Sequence, residues 1–165
     1  MASRISPKLT ALIVAQIGLE AESRQFWLAR RHWAKYKRWI GLHKVCHTYV
    51  DEEARHFDKW VKLLMHYGED FPAMPAVAEQ KATPATPLDL VNGALGFMDS
   101  VTAKIKEIAA CAATDAPELT DFVQWFLDDQ VKGVSDLTAM KADFALAGSD
   151  VAAMLAVDKR IGIRA

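Results

Sequence analysis

Apolar residues recur along the chain at helical spacing, and strand-like alternation is absent throughout. Ser6-Pro7 reads as an N-cap followed by a first-turn proline. From there Leu12, Leu19, Phe26, Trp33 and Ile40 recur every seven residues, with Ile13, Glu20, Trp27 and Ala34 beside them. This pattern predicts a helix over 7–40, stopped at Gly41. A second seam, at spacings of three and four, runs Cys46, Tyr49, Glu53, His56, Trp60, Leu63, Tyr67. It predicts an antiparallel neighbour over 43–67, ended by Gly68. Gly68 to Thr86 carries prolines at 72, 75 and 84 and no periodicity. A bundle helix of about 27 residues is ~40 Å long, and this extended segment reaches about 60 Å. The segment can therefore run the length of a bundle and start the next helix at the opposite end. Thr86-Pro87 with Asp89 caps that start.

The third seam, over 87–113, reads Leu88, Val91, Leu95, Met98, Thr102, Ile105, Ala109, Ala112. After a break at Thr114-Asp115-Ala116-Pro117 the fourth, over 118–147, reads Leu119, Val123, Phe126, Gln130, Gly133, Leu137, Met140, Phe144, Ala147. A short fifth helix over 150–159 carries Val151, Met154, Leu155 and Val157. The expected architecture is all-α within a single domain over 1–165: two antiparallel helix pairs joined by a long crossover, with a short C-terminal fifth helix.

Composition narrows the class. The hydrophobic set makes up 52% of the chain and charged residues 25%, which suits a packed core and excludes disorder. A formal charge of −1 leaves no basic footprint for a nucleic-acid partner. Cys46 and Cys111 stand in no CxxC pattern and read as two thiols in a reducing compartment. The run Leu9 to Leu19, preceded by Arg4 and Lys8, mimics a secretory signal. Gln16 interrupts it, however, and Glu20 and Glu22 stand where a cleavage site belongs. A cytoplasmic chain is expected. No apolar stretch approaches the ~20 residues of a membrane span, so no membrane partner is expected either.

The informative positions are those where the seams stop being apolar, because a buried ionisable group costs several kcal/mol unless it is paired or metal-bound. Glu53 and His56 lie three apart on the inward face of the second helix, Glu20 inward on the first, and Gln130 inward on the fourth. An ExxH pair with a carboxylate from a neighbouring helix is a way to hold iron inside a bundle.

The chain resembles bacterial non-haem ferritins over nearly all its length. Glu20 precedes Glu53 by 33 residues, the family's spacing between its first two metal glutamates. DEEARHF at 51–57 resembles the family's EExxH segment, FVQWFLDDQ at 122–130 is similar to the signature FLQWYVxEQ, and LAVDK at 155–159 resembles the fifth helix. The resemblance implies a ferritin-like four-helix bundle, a homo-oligomeric shell of 24 subunits, and Fe²⁺ oxidised in each bundle for storage as ferric mineral. Glu20 and His56 match terminal iron ligands, and Glu53 the carboxylate that bridges two irons. Glu53 and His56 would carry the ferroxidase chemistry. Glu52 matches an accessory acid and Gln130 the glutamine near the second iron. Carboxylate and imidazole hold both Fe²⁺ and Fe³⁺ and leave positions open for oxygen.

The departures matter as much. Met98 stands where the third helix of the family gives a metal glutamate, and a thioether is a poor ligand for a hard cation. Asp99 is next door but rotated by about 100° on a helix. Lys132 and Gly133 replace further acids, and Trp27 replaces a tyrosine. The first iron position is expected intact and the second weakened. Ala54 follows Glu53 where bacterioferritin has its haem methionine, and the fourth helix has no second ExxH, so no haem is expected. Two scattered cysteines cannot build the four-cysteine iron module of rubrerythrin. The basic cluster Arg30, Arg31, Lys35, Lys37, Arg38 reads as a solvated face or subunit contact, and His32, His43, His47 and His66 have no partners at ligand spacing. The expected function is iron storage or detoxification. The alternative is a structural subunit that completes a shell without oxidising iron, and Met98 divides the two.

Overall fold

The computed structural model describes residues 5–68 and 73–164. Every regular element among them is helical: α1 (Pro7–Tyr36), α2 (Ile40–His66), α3 (Pro87–Asp115), a 3₁₀ turn at Pro117–Leu119, α4 (Thr120–Ala147) and α5 (Val151–Arg164). The start signals act as read. Ser6 Oγ accepts from Leu9 N–H ahead of Pro7, and Thr86 and Asp89 form a reciprocal capping box ahead of Pro87. Residues 73–84, in the connection between α2 and α3, have no regular structure, while Arg4 and Pro72 lie outside the described residues. No described helix is long and apolar enough to cross a membrane.

The turn between α1 and α2 differs from expectation. α1 ends at Tyr36, Arg38 turns the chain at φ 68°, and α2 has begun by Ile40, so Gly41 lies inside α2. That glycine serves a close approach rather than a stop: a Cβ on it would overlap the backbone carbonyl of Asp158. Ile40 is 50% exposed. The inward row of α1 is Ile13, Glu20, Trp27 and Ala34, with Leu12 and Trp33 on its flank. α5 continues past residue 159 because Ile161 and Gly162 are buried against the bundle. Its start is capped by Asp150, whose Oδ1 accepts from Ala152 N–H at 2.8 Å.

α1 packs on α2, α3 on α4 and α1 on α3, whereas α2 and α4 stand further apart across the remaining side. Two apolar clusters fill the interior. One gathers Leu9, Ile13, Ile17, Trp60, Ile105 and Phe126, and the other Trp27, Cys46, Val91, Met98, Leu137 and Phe144. Between them lies a layer of buried polar side chains: Gln16, Glu20, Ser23, Glu53, His56 and Gln130. Both cysteines are free thiols.

Candidate metal centre

Helical periodicity aims Glu20 from α1 and Glu53 and His56 from α2 at one point. Their exposures are 1%, 6% and 4%. His56 Nδ1 lies 3.3 Å from Glu53 Oε2 and 3.7 Å from Glu20 Oε2. One ligand atom from each residue falls within 4.8 Å of the other two. Glu20 Oε2, Glu53 Oε2 and His56 Nδ1 are all buried without a hydrogen-bond partner among the described residues. Without a metal only the ion pairs of His56 Nδ1 with the two carboxylates, at 3.3 and 3.7 Å, relieve them. A buried polar atom short of a sound hydrogen bond costs about 1–3 kcal/mol, and three such atoms converging on one point is an arrangement that a cation offsets. Two carboxylates and an imidazole fit a hard or borderline divalent ion such as iron.

The remaining oxygen of Glu20 is occupied. Oε1 accepts from Gln16 Nε2 at 2.7 Å and from Trp60 Nε1 at 3.1 Å. On the far side of the imidazole, His56 Nε2 lies 3.4 Å from Asp129 Oδ2. Burial pushes the Glu53 carboxyl above its usual range, and the Glu20 charge adds to that. For His56 burial acts downward, but the carboxylates of Asp129, Glu20 and Glu53 outweigh it and raise the imidazole to about 11. The same contact lowers Asp129, while burial and the Asp129 charge raise Glu52.

The centre opens into a cavity of about 270 Å³ in the gap between α2 and α4, with Met98 in its wall and Ile161 of α5 at its margin. Glu52 lies half-buried on this cavity, and Asp136 and Lys132 line it too. Lys132 is paired with Asp136 at 3.2 Å. Gln130 is 4% exposed and its Oε1 accepts from Thr102 Oγ at 3.1 Å. Asp99 faces solvent. Trp27 is buried and stacked on Tyr49, with ring centroids 4.2 Å apart and an interplanar angle of 8°.

Two residues at this centre, Gln16 and Trp60, have no assigned role in the sequence, whereas Asp129 is there one of two acids, with Asp99, that could reach inward. Gln16 interrupts an apolar run, and its position four residues before Glu20 is the usable signal. Trp60 stands in an aromatic row that reads as core. Asp129 lies one residue off the α4 seam.

The sequence profile of the ferritin-like domain matches residues 10–147. The chain belongs to the ferritin family. Similar solved structures include an open-pore ferritin of the hyperthermophilic archaeon Archaeoglobus fulgidus, 23% identical, with a TM-score of 0.91 over 98% of this chain and 99% of that one. An engineered closed form of the same organism's ferritin is 23% identical, with a TM-score of 0.90 over 98% of both chains. A humanized archaeal ferritin is 21% identical, with a TM-score of 0.92 over 98% of both chains. At these identities the likeness carries the fold. No curated relative matches the chain. This ferritin thus has the expected bundle and crossover.

Proposed function

We propose that this ferritin takes up Fe²⁺ at Glu20, Glu53 and His56, oxidises it slowly, and passes Fe³⁺ to a mineral inside a closed homo-oligomeric shell of 24 copies. The observation that carries the reading is the convergence of three buried ligand atoms that lack hydrogen-bond partners among the described residues. The slow rate follows from Met98. Dioxygen takes two electrons to reach hydrogen peroxide and one Fe²⁺ supplies one, so an efficient centre needs two irons in reach. A second ion in the cavity would meet Glu53 and the neutral Gln130, with the Met98 thioether where a carboxylate of the third helix would supply charge. Of the other carboxylates there, Asp129 is engaged with His56 Nε2 at 3.4 Å and Glu52 is pushed by burial towards its neutral form. The shell is supported by apolar surface left on and near α5: Leu146, Val151, Leu155 and Ile163 are 87%, 60%, 47% and 77% exposed. A closed symmetric assembly would bury such surface. Two free thiols accord with a cytoplasmic location.

A second reading is a structural subunit that completes a shell without oxidising iron, and Met98 favours it. Anaerobic Fe²⁺ titration followed by measurement of oxygen consumption separates the two. The storage reading expects one tightly held ion per chain, measurable oxygen uptake, and a particle far above 18.3 kDa by light scattering. His56→Ala should weaken binding about 10-fold or more. Binding unchanged in both Glu53→Ala and His56→Ala would show the site to be elsewhere, and a stable monomer would sink the storage reading.

A further inference from the structure

Glu20 is held differently from an ordinary carboxylate ligand. Both hydrogen bonds it accepts fall on one oxygen, Oε1: 2.7 Å from Gln16 Nε2 and 3.1 Å from Trp60 Nε1. The other oxygen, Oε2, has no hydrogen-bond partner among the described residues and faces His56 Nδ1 at 3.7 Å. A carboxylate oxygen has about two lone-pair sites, so two N–H donors use up Oε1. We propose that Gln16 and Trp60 are positioning residues that make Glu20 a one-oxygen ligand, presenting Oε2 alone to the metal. The inference rests on the reading of Glu20, Glu53 and His56 as a metal centre.

Both donors are buried. Trp60 is fully buried, stacked on Phe126 at 4.4 Å and 22° and met edge-on by Phe122 at 5.1 Å and 80°. Its N–H therefore has one direction. Gln16 is 1% exposed and one helical turn before Glu20 on α1. Its amide oxygen is buried without a partner among the described residues, an arrangement that costs free energy and persists because the NH₂ end is needed at Glu20.

The consequence is chemical. A carboxylate free to rotate can close on an ion with both oxygens and take two coordination positions. Clamped through Oε1, Glu20 takes one, and the position it leaves open is available to water or oxygen. Fixing the carboxylate plane beforehand also removes a rotation that binding would otherwise have to freeze.

Co²⁺ is the probe, because its visible absorption bands report coordination number. Wild type should bind one Co²⁺ per chain. Trp60→Phe keeps the aromatic stack and removes only the N–H, and Gln16→Leu keeps the volume and removes the amide. Each should weaken Co²⁺ binding by about 10- to 100-fold and change the band intensity as Glu20 turns both oxygens inward. In a Glu20→Ala background neither should have a further effect. If either variant retains helical content and its melting transition yet gives the wild-type affinity and spectrum, the clamp is wrong while the centre stands. If Glu20→Ala itself binds Co²⁺ as wild type does, the centre is misplaced and the clamp falls with it.

Discussion

Met98 on α3 seats its terminal methyl group against Gly133 on α4, where a Cβ would lie 2.5 Å from Met98 Cε. The absence of a side chain at 133 makes room for the thioether in the cavity wall. Met98 and Gly133, two of the three positions at which the resemblance leads one to expect acids, thus pack as one unit. Met98→Glu should raise the initial rate of Fe²⁺ oxidation several-fold, read by stopped-flow absorbance. The metal-free variant should melt at a lower temperature, because a carboxylate then enters an apolar seam. If wild type already oxidises two irons per chain quickly, Met98 is not the limiting residue.

Asp129 approaches His56 from the side opposite the ligand atoms. With Nε2 3.4 Å from Asp129 Oδ2, the imidazole is set to keep a proton there when Nδ1 gives up its own to ligate a metal. Asp129→Ala should therefore weaken zinc binding about 10-fold or more, measured by competition with a chromophoric chelator. Asp129→Asn, which can still accept through its amide oxygen, should lose less. Wild-type affinity in Asp129→Ala would reduce Asp129 to a charge at the cavity mouth.

The bundle and the ExxH face were legible because both depend on local periodicity. Three-and-four spacing puts Glu53 and His56 on the same stripe as Cys46 and Trp60, and burial makes a polar group on that stripe conspicuous. Glu20 was legible through its register with Ile13 and Trp27. The α1–α2 turn was not. Gly41 looks like a stop from its neighbours, but its glycine is required by Asp158, 117 residues later in the chain. Asp129 was legible only as one of two acids that could reach inward, beside Asp99: it is off the α4 seam, and its reach to His56 across the gap between helices decides for it.

Metal binding should release protons. His56 must have Nδ1 bare to ligate, yet the metal-free imidazole is raised to about 11 and holds its proton at pH 7. Burial likewise favours the protonated form of Glu53. A divalent ion displaces these protons, so apparent affinity should rise with pH by about tenfold per unit for each proton released. For the metal-free fold the sign is opposite. A His56 value raised above the unfolded ~6.5 contributes stability that is full below pH ~6.5 and fades as pH rises towards 11. Calorimetric zinc titrations at pH 7, in buffers of different ionisation heat, should show at least one proton released per ion. No release would mean that His56 does not ligate through Nδ1.

Asp158 supplies the cap that α2 lacks. The residue before α2, Trp39, makes no side-chain cap. Instead Asp158 of α5 accepts from Gly41 N–H and Leu42 N–H, each at 2.8 Å, while itself 4% exposed. Two of the first-turn N–H groups of α2 thus depend on α5, and the carboxylate sits at the positive end of the α2 dipole. Asp158→Ala leaves both donors buried and unpaired and should cost about 2–4 kcal/mol by denaturant unfolding. Gly41→Ala acts on the same contact by a different route, since its methyl group would collide with the Asp158 carbonyl. Because the clash is with backbone, α5 has to move. Hydrogen exchange across 151–164 should then accelerate in Gly41→Ala while α1 to α4 stay protected. Ile161 should leave the cavity margin, and a shell closed through α5 should shift towards smaller species in light scattering. Exchange in α5 that matches wild type would show that the crossing at Gly41 tolerates a side chain and that α5 is anchored elsewhere.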